Sequence, residues 1–424
     1  MKTRIYNARI LTMQEDTPIF CGEVQISDGK ITYVGPEKTN DICWDREIDA
    51  GNNLLMPGFK NAHTHSPMTF LRSYADDVPL HEWLYEKIFP MEAKLTDEDI
   101  YWCSILANME YVTSGITANF DMYIHPLPKV KASIDTGFRT AVCGHINDFC
   151  SSLEEMEEQY IAFNKCHPLL SCQLGFHAEY TTNRKLLEGV AALAQKYKAP
   201  VYAHMAETKR EVEECIGRYQ KTPIAFLDEI GMFNYGGGGF HCVHVNDEDL
   251  AICRERGIHV ITNPSSNLKL ASGIAPIQKM VSMGIGVGIG TDGPASNNCL
   301  DMFREMFLVT ALQKVLLEDA SAMDAREVLK MATVGGARAM GLYDSDVLAV
   351  GKNADMILID MSQPNMQPEH QIEKNLVYSG SKQNVLMTMV AGKVLYERGE
   401  FFMGVSKEEV YARVNEGMLR MLQE

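Results

Sequence analysis

The sequence predicts an α/β fold, a (β/α)8 TIM-like barrel joined to a small β-sandwich domain built from both chain termini. The first observation is that short apolar runs alternate with longer helical stretches through the middle of the chain. Eight such runs separated by helices are typical of this barrel. They begin near residues 56, 116, 140, 172, 201, 239, 259 and 285. The second observation is that strand-like patterns stand at both ends of the chain.

The small domain is predicted from the two ends together. Near the N-terminus, Asp28-Gly29 separates two short strand runs, which is a strong hairpin signal. Strand character returns at residues 355–360 and 385–397; Gly392 bends the second run, and no helix is predicted between the two. The predicted domains are residues 1–55 with 346–402 for the β domain, 56–345 for the barrel, and 403–424 for a C-terminal helix.

Helix signals fill the gaps between the barrel strands. Thr96 followed by three acidic residues has the pattern of a helix N-cap with an acidic first turn. The other predicted helices cover residues 183–197, 207–217, 246–257, 302–317, 324–340 and 406–424.

Composition excludes several classes of protein. The 424 residues carry a net charge of -17, so no surplus of cations exists for nucleic acid or an anionic membrane. The 11 cysteines are odd in number and none has Cys-x-x-Cys spacing, which argues against a secreted disulfide framework and a zinc knuckle. No apolar run is long enough to span a membrane. We therefore expect a cytoplasmic protein.

A His-x-His pair ends the first predicted barrel strand. Side chains two residues apart on a strand share a face, so His63 and His65 can reach one point, as a zinc-type metal requires. Later strand ends add His204 with Glu207, then His241, then Asp292. Each of these residues alone has an ordinary structural explanation. Together they fall at the carboxyl ends of barrel strands, where catalytic residues gather.

This pattern predicts a metal centre that activates water. His63, His65, His204 and Asp292 are the expected ligands of one divalent metal per chain, Zn²⁺ first, with Fe²⁺ or Mn²⁺ as alternatives. The expected catalytic residues are His241, which stabilises the attacking oxygen, Asp292, which accepts the water proton, and Glu207, which shuttles a proton to the leaving group. His244, three residues after His241, is expected either to be structural or to support a residue of the site without touching the substrate.

These motifs resemble those of the amidohydrolase superfamily over essentially the whole chain. They are Met56-Pro57-Gly58-Phe59 with His63-Thr64-His65, His204-x-x-Glu207, His241, and Gly290-Thr291-Asp292-Gly293 with Ser296. Within it the chain is most similar to the 5-methylthioadenosine/S-adenosylhomocysteine deaminases, on residues 70–84, 89–95 and 263–276. The resemblance implies that Glu92 binds the ribose hydroxyls, that His177 also contacts the nucleoside, and that Trp83 lines the pocket. Glu207 and Asp292 would contact the base, and a homo-oligomer is implied.

The resemblance implies hydrolytic deamination of an adenine nucleoside to the inosine analogue and ammonia. Relatives that accept S-adenosylhomocysteine carry an Arg just after the third strand, whereas residues 141–148 contain none. We therefore expect 5-methylthioadenosine, adenosine or 5′-deoxyadenosine ahead of S-adenosylhomocysteine. The alternatives are deamination of guanine, 8-oxoguanine, cytosine or a triazine, hydrolysis of a cyclic amide, and a non-catalytic scaffold. The roles of His145, Asn147 and Glu179 stay open.

Overall fold

The computed structural model describes residues 1–39, 42–79 and 82–423. Eight parallel strands form one sheet in chain order, and the eighth strand returns to the first. There the backbone N–H of Thr291 donates to His63 O at 3.1 Å, which nearly closes the barrel. These first to eighth barrel strands are Phe59–Thr64, Ile116–Met122, Arg139–Cys143, Leu170–Ala178, Val201–Met205, Gly237–His241, Ile258–Thr262 and Val287–Ile289. The predicted barrel is confirmed.

The helices of the barrel surround these strands. The N-cap predicted at Thr96 is present, and it forms a capping box in which the side chains of Thr96 and Asp99 each accept from the other's backbone N–H. The helices along the barrel are Phe89–Glu92, Asp97–Thr113, Pro126–Thr136, Leu153–Cys166, Arg184–Tyr197, Lys209–Tyr219, Pro223–Glu229, Asp247–Arg256, Pro264–Lys269, Ile277–Ser282, Pro294–Asn297, Met302–Leu317, Ala325–Lys330 and Gly336–Ala339. Turns of π-helix cover Trp83–Ile88 and Met331–Gly335, and short 3₁₀ turns cover Ser66–Leu71, Glu179–Thr181 and Tyr343–Ser345.

Both ends of the chain contribute to one mixed sheet of nine strands beside the barrel. Its central pairings join Leu54–Pro57 to Lys2–Ile10 on one side and to Met356–Ile359 on the other, so distant parts of the sequence meet in one sheet. The nine strands are Lys2–Ile10, Phe20–Ser27, Lys30–Gly35, Arg46–Asp49, Leu54–Pro57, Met356–Ile359, Val385–Val390, Lys393–Glu397 and Glu400–Phe401. The domain limits given above remain predictions.

Three local expectations were wrong. The predicted bent strand at residues 385–397 is a hairpin, because Ala391 and Gly392 take φ of 47° and 76° and reverse the chain. A helix, Ile372–Tyr378, and 3₁₀ turns at Pro364–Met366 and Lys382–Asn384 stand where no helix was predicted. The helix predicted from residue 207 begins at Lys209, since Thr208 is its N-cap, and Glu207 lies in the preceding loop.

The C-terminal helix is Lys407–Gln423, with Val410 and Met421 buried. Glu424, predicted to end it, lies outside the described residues, as do Leu80 and His81 of the segment 70–84. Among the helices that the structure describes, none combines the length and the hydropathy needed to cross a membrane.

Candidate metal centre and active site

The four predicted ligands lie together at the carboxyl end of the barrel. His63 lies near the end of the first strand and His65 directly follows it, His204 belongs to the fifth, and Asp292 follows the eighth. Their candidate ligand atoms all fall within 4.8 Å of one another, and all four residues are buried. The Nε2 atoms of His65 and His204 are 3.3 Å apart, and Asp292 Oδ1 lies 3.5 Å from His63 Nε2 and 3.3 Å from His65 Nε2. Residues 229 positions apart are thus brought to one point by barrel closure.

Neighbouring groups orient these side chains. His65 Nδ1 donates to Met122 O, and His204 Nδ1 donates to His177 O at 2.7 Å, so each ring leaves Nε2 free to bind a metal. Asp292 Oδ2 accepts from the hydroxyls of Ser266 at 2.6 Å and Ser296 at 2.7 Å, which leaves Oδ1 facing the imidazoles. These hydrogen bonds fix the face that each ligand candidate presents.

His63 tests whether the site fits a metal. It is fully buried, and neither of its ring nitrogens makes a hydrogen bond within the described part of the chain. Burial lowers the pKa of His63 to about 3, so the ring is neutral. Against the effect of burial, His63 and His65 hold the pKa of Asp292 well below its usual range. Neutral imidazoles and an ionised carboxylate are the states that bind a metal, and three nitrogens with one oxygen suit zinc. The donor set therefore fits a divalent transition metal.

Glu207 and His241 stand beside this cluster. His241 Nε2 lies 4.0 Å from Glu207 Oε2, and Ser272 Oγ donates to Glu207 Oε1 at 3.3 Å. The loop that carries Glu207 is held by Glu211, whose carboxylate accepts from the backbone N–H groups of Ala206 and Glu207, both at 2.8 Å. Burial, and then the charge of Glu207, raises the pKa of Glu211 to about 8.

One cavity of about 470 Å³ joins the metal cluster to the predicted substrate contacts. Its wall includes six of the predicted catalytic and substrate-binding residues, namely Trp83, Glu92, His177, Glu207, His241 and Asp292. Burial raises the pKa of Glu92 to about 7, while it lowers the pKa of His177 to about 3. The wall of the cavity thus includes three candidate metal ligands, His65, His204 and Asp292, and the half-buried carboxyl group of Glu92.

The residues left open by the sequence divide into two groups. His145 and Asn147 line the cavity. Glu179 does not line the cavity. Its buried carboxylate instead pairs with Arg218 on the helix that follows Glu207. His244 Nε2 donates to Ser272 O at 2.7 Å, and the Ser272 side chain in turn contacts Glu207. No Arg or Lys of the described ranges lines the cavity.

Sequence reasoning missed several residues that hold the site. Glu211 falls within the helix predicted over residues 207–217 and had no assigned contact, although its carboxylate binds the Glu207 loop. Ser266 and Asn267 were part of a motif that carried the resemblance, but they had no assigned contact. That motif was the available signal. Ser272 lies in the same motif, and its contact with Glu207 depends on how two loops approach.

Comparison with known proteins agrees with this geometry. The model of the amidohydrolase family matches residues 54–395. A 5-methylthioadenosine/S-adenosylhomocysteine deaminase of Caldanaerobacter subterraneus subsp. tengcongensis is 40% identical over 98% of this chain and 97% of its own. A protein of the same name from Moorella thermoacetica is 41% identical over 94% of each chain.

Similarity to a solved structure extends over the whole chain. An adenosine deaminase from Xanthomonas campestris with bound zinc is 33% identical, with a TM-score of 0.94 and coverage of 100% of this chain and 99% of that one. Fold, site geometry and sequence relatives lead to one conclusion. The chain belongs to the amidohydrolase family, and within it to the group of the 5-methylthioadenosine/S-adenosylhomocysteine deaminases.

Proposed function

We propose that the protein is a zinc-dependent hydrolase that deaminates small adenine nucleosides, with one metal per chain held by His63, His65, His204 and Asp292. The observation that carries the proposal is that one cavity is lined both by three of the four candidate ligands, His65, His204 and Asp292, and by Glu92. The names of the relatives support the substrate class, and the zinc in the Xanthomonas campestris enzyme supports the metal. A cytoplasmic location and a homo-oligomeric assembly remain predictions from the sequence.

Substrate binding is assigned to residues on the cavity wall. An ionised Glu92 would accept hydrogen bonds from two neighbouring ribose hydroxyls, because a carboxylate has two acceptor oxygens. Trp83, which is 6% exposed, would pack against the nucleoside. His177 Nδ1 is held by Thr181 Oγ1 at 2.8 Å, so its ring has a fixed orientation toward the substrate.

The chemistry follows from the groups at the metal end. A bound divalent metal would supply an activated water for attack on the ring carbon that bears the amino group. Asp292 would take a proton from the attacking water, and Glu207 would give a proton to the purine ring and then to the leaving ammonia. His241 would stabilise the oxygen as it bonds to the carbon. The expected products are the inosine analogue and ammonia.

The 5′ group is limited by the charge of the cavity. S-adenosylhomocysteine carries a carboxylate, and a cavity without Arg or Lys among the described residues offers no fixed cation to bind it. We therefore favour 5-methylthioadenosine, adenosine and 5′-deoxyadenosine as substrates.

Ammonia release from a panel of nucleosides and free bases tests the proposal. Metal-loaded enzyme would be supplied with the three favoured nucleosides, S-adenosylhomocysteine, guanine and cytosine. We expect turnover of the small nucleosides, poor turnover of S-adenosylhomocysteine and none of the bases. Turnover of guanine or cytosine alone would refute the nucleoside assignment. If no amine-bearing ring were turned over, deamination would be refuted and cyclic-amide hydrolysis would be the remaining alternative.

A further inference from the structure

The segment after the seventh barrel strand contacts all three predicted catalytic residues. This loop, residues 263–273, contains the short helix Pro264–Lys269 and most of the motif that carried the family resemblance without a role of its own. Each contact comes from a different side chain of the loop. They are Asn267 to His241, Ser266 to Asp292, and Ser272 to Glu207. One short segment thus orients all the predicted catalytic residues.

The contact with His241 determines where that ring carries its hydrogen. Asn267 Oδ1 lies 2.7 Å from His241 Nδ1. An amide oxygen has no hydrogen to give, so Nδ1 must be the donor. In a neutral imidazole only one nitrogen carries hydrogen, which leaves Nε2 with a free lone pair. Because His241 lines the cavity and its Nε2 lies 4.0 Å from Glu207 Oε2, the free lone pair is available at the reaction site.

Contacts within the loop hold Asn267 in place independently of the His241 ring. It is 2% exposed, its backbone N–H donates to Asn263 O at 2.9 Å, and its carbonyl accepts from Ser272 N at 2.8 Å. Glu305 accepts from Ser265 N at 3.0 Å and fixes the start of the same loop. The position of the Asn267 amide is therefore set by the loop.

The side chain of His241, in contrast, needs a contact from another residue to orient its ring. It has φ of 70°, and the next residue, Cys242, has φ of 47°. Left-handed conformations of such residues are unfavourable by about 1–3 kcal/mol and persist only where surrounding contacts hold them. The strand ends at His241, so strand geometry does not orient its ring. The side-chain contact to Asn267 supplies an orientation.

We propose that Asn267 is a positioning residue that keeps His241 in the tautomer with hydrogen on Nδ1. Nε2 then accepts the first of the two protons of the attacking water and, once it carries that proton, donates a hydrogen bond to the oxygen that bonds to the purine carbon. Asp292 takes the second proton, and Glu207 delivers both protons to the purine ring and the leaving ammonia. The inference rests on the proposed function for the identity of the reaction. The tautomer itself is independent of any substrate.

Three variants test the role in turnover. Asn267→Ala removes the acceptor, and we expect kcat to fall about 10²-fold, the size of a typical acid–base contribution, while KM changes less than about threefold. Asn267→Asp still accepts from Nδ1, and we expect it to recover kcat to within about tenfold of the original. Asn384→Ala is the matched control, because Asn384 is equally buried and hydrogen-bonded but lies beside the small sheet.

The outcomes separate positioning from general stability. The control should lower the midpoint of thermal unfolding without changing kcat. The proposal is overturned if Asn267→Ala affects kcat no more than the control does, or if Asn267→Asp is as inactive as Asn267→Ala. Metal content measured on each variant should equal that of the original protein, since Asn267 contacts no ligand candidate.

A spectroscopic test needs no turnover. Metal-loaded protein labelled with ¹⁵N-histidine would be compared with His241→Gln, which identifies the His241 signals. We expect a protonated Nδ1 and an unprotonated Nε2 in the original protein, and a mixture of tautomers in Asn267→Ala. A protonated Nε2 with an unprotonated Nδ1 would refute the inference. If no nucleoside were turned over, the proposed function would fail while this measurement would still decide the tautomer.

Discussion

The two ends of the first barrel strand both bury polar side chains, but they satisfy them differently. Lys60 and His63 lie on this strand, and both are fully buried. At the amino end, Lys60 Nζ donates to Gly58 O at 2.7 Å and to Thr117 Oγ1 at 2.9 Å. At the carboxyl end, neither nitrogen of His63 has a hydrogen-bond partner among the described residues. A strand of six residues thus has a closed network at one end and open ligand positions at the other.

The network at the amino end joins the barrel to the small sheet. Arg139 of the third strand donates two hydrogen bonds to Asp355, at 2.6 and 3.1 Å, and Asp355 also accepts from the backbone N–H of Ala391. All of these groups are paired, so they stabilise the structure and offer nothing to a ligand. The two ends of the strand therefore differ in kind: a stable fold requires that buried polar groups have partners within the protein, whereas a metal site requires ligand atoms that are left without one.

The largest expected effect is at the open end. His63→Ala removes one nitrogen ligand, and we expect metal binding to weaken strongly and deamination to fall by at least about 10³-fold, because the metal supplies the activated water. The fold should persist, since His63 makes no hydrogen bond in the described structure. Metal content, ammonia release and circular dichroism together check this. Full activity in a metal-free His63→Ala protein would contradict the assignment.

Glu207→Gln is expected to have the next largest effect. The amide keeps the shape of the side chain but cannot carry a proton between substrate and leaving group, so kcat should fall about 10²- to 10⁴-fold. Metal content should stay unchanged, because Glu207 is not a predicted ligand. Single-turnover ammonia release with saturating substrate measures the loss. If metal content fell in parallel with kcat, Glu207 would have to be reassigned as a ligand.

At the closed end, Arg139→Met should reduce stability and leave chemistry intact. Removing one member of a buried ion pair leaves Asp355 without its partner, which costs about 3–5 kcal/mol in the free energy of unfolding. Denaturant unfolding measures that loss, and kcat per folded molecule should stay within about twofold. Arg139→Met combined with Asp355→Leu should recover stability, since neither charge remains. A large drop in kcat for the folded Arg139→Met protein would show that the network at the amino end also serves catalysis.

The smallest effect concerns substrate binding by Glu92, whose pKa burial raises to about 7. Below this pH the carboxyl group is protonated and cannot accept from both ribose hydroxyls, so KM should rise as the pH falls through about 7. Glu92→Gln should raise KM by about tenfold or more, the loss of a charged hydrogen bond, and remove this pH dependence. Steady-state kinetics with adenosine and 2′-deoxyadenosine check it. If Glu92→Gln raised KM equally for adenosine and 2′-deoxyadenosine, contact of Glu92 with both hydroxyls would be contradicted.

The sequence predicted the barrel and the metal ligands because both follow from local signals. Once eight parallel strands alternate with helices, the carboxyl ends of the strands are known to lie at one end of the barrel. Residues at those ends are then expected to meet, namely His63, His65, His204 and Asp292. The helix Ile372–Tyr378 was missed because its capping residue, Gln371, makes no side-chain cap. The contact of Asn267 with His241 was missed because it depends on how two separate loops approach. Glu211 binds backbone N–H groups only four and five residues before it, and that contact was missed because the predicted helix began at residue 207 and so placed Glu211 beyond its first turn.

The most direct test of the account is a metal titration of turnover. Metal would be removed with a chelator, zinc added back in increments, and deamination of 5-methylthioadenosine followed by ammonia release and loss of the adenine absorbance band. We predict that the rate rises linearly and reaches a plateau at one zinc per chain, and that His63→Ala shows no such rise. Turnover that persists without metal, or a plateau at two metals per chain, would contradict the proposed centre.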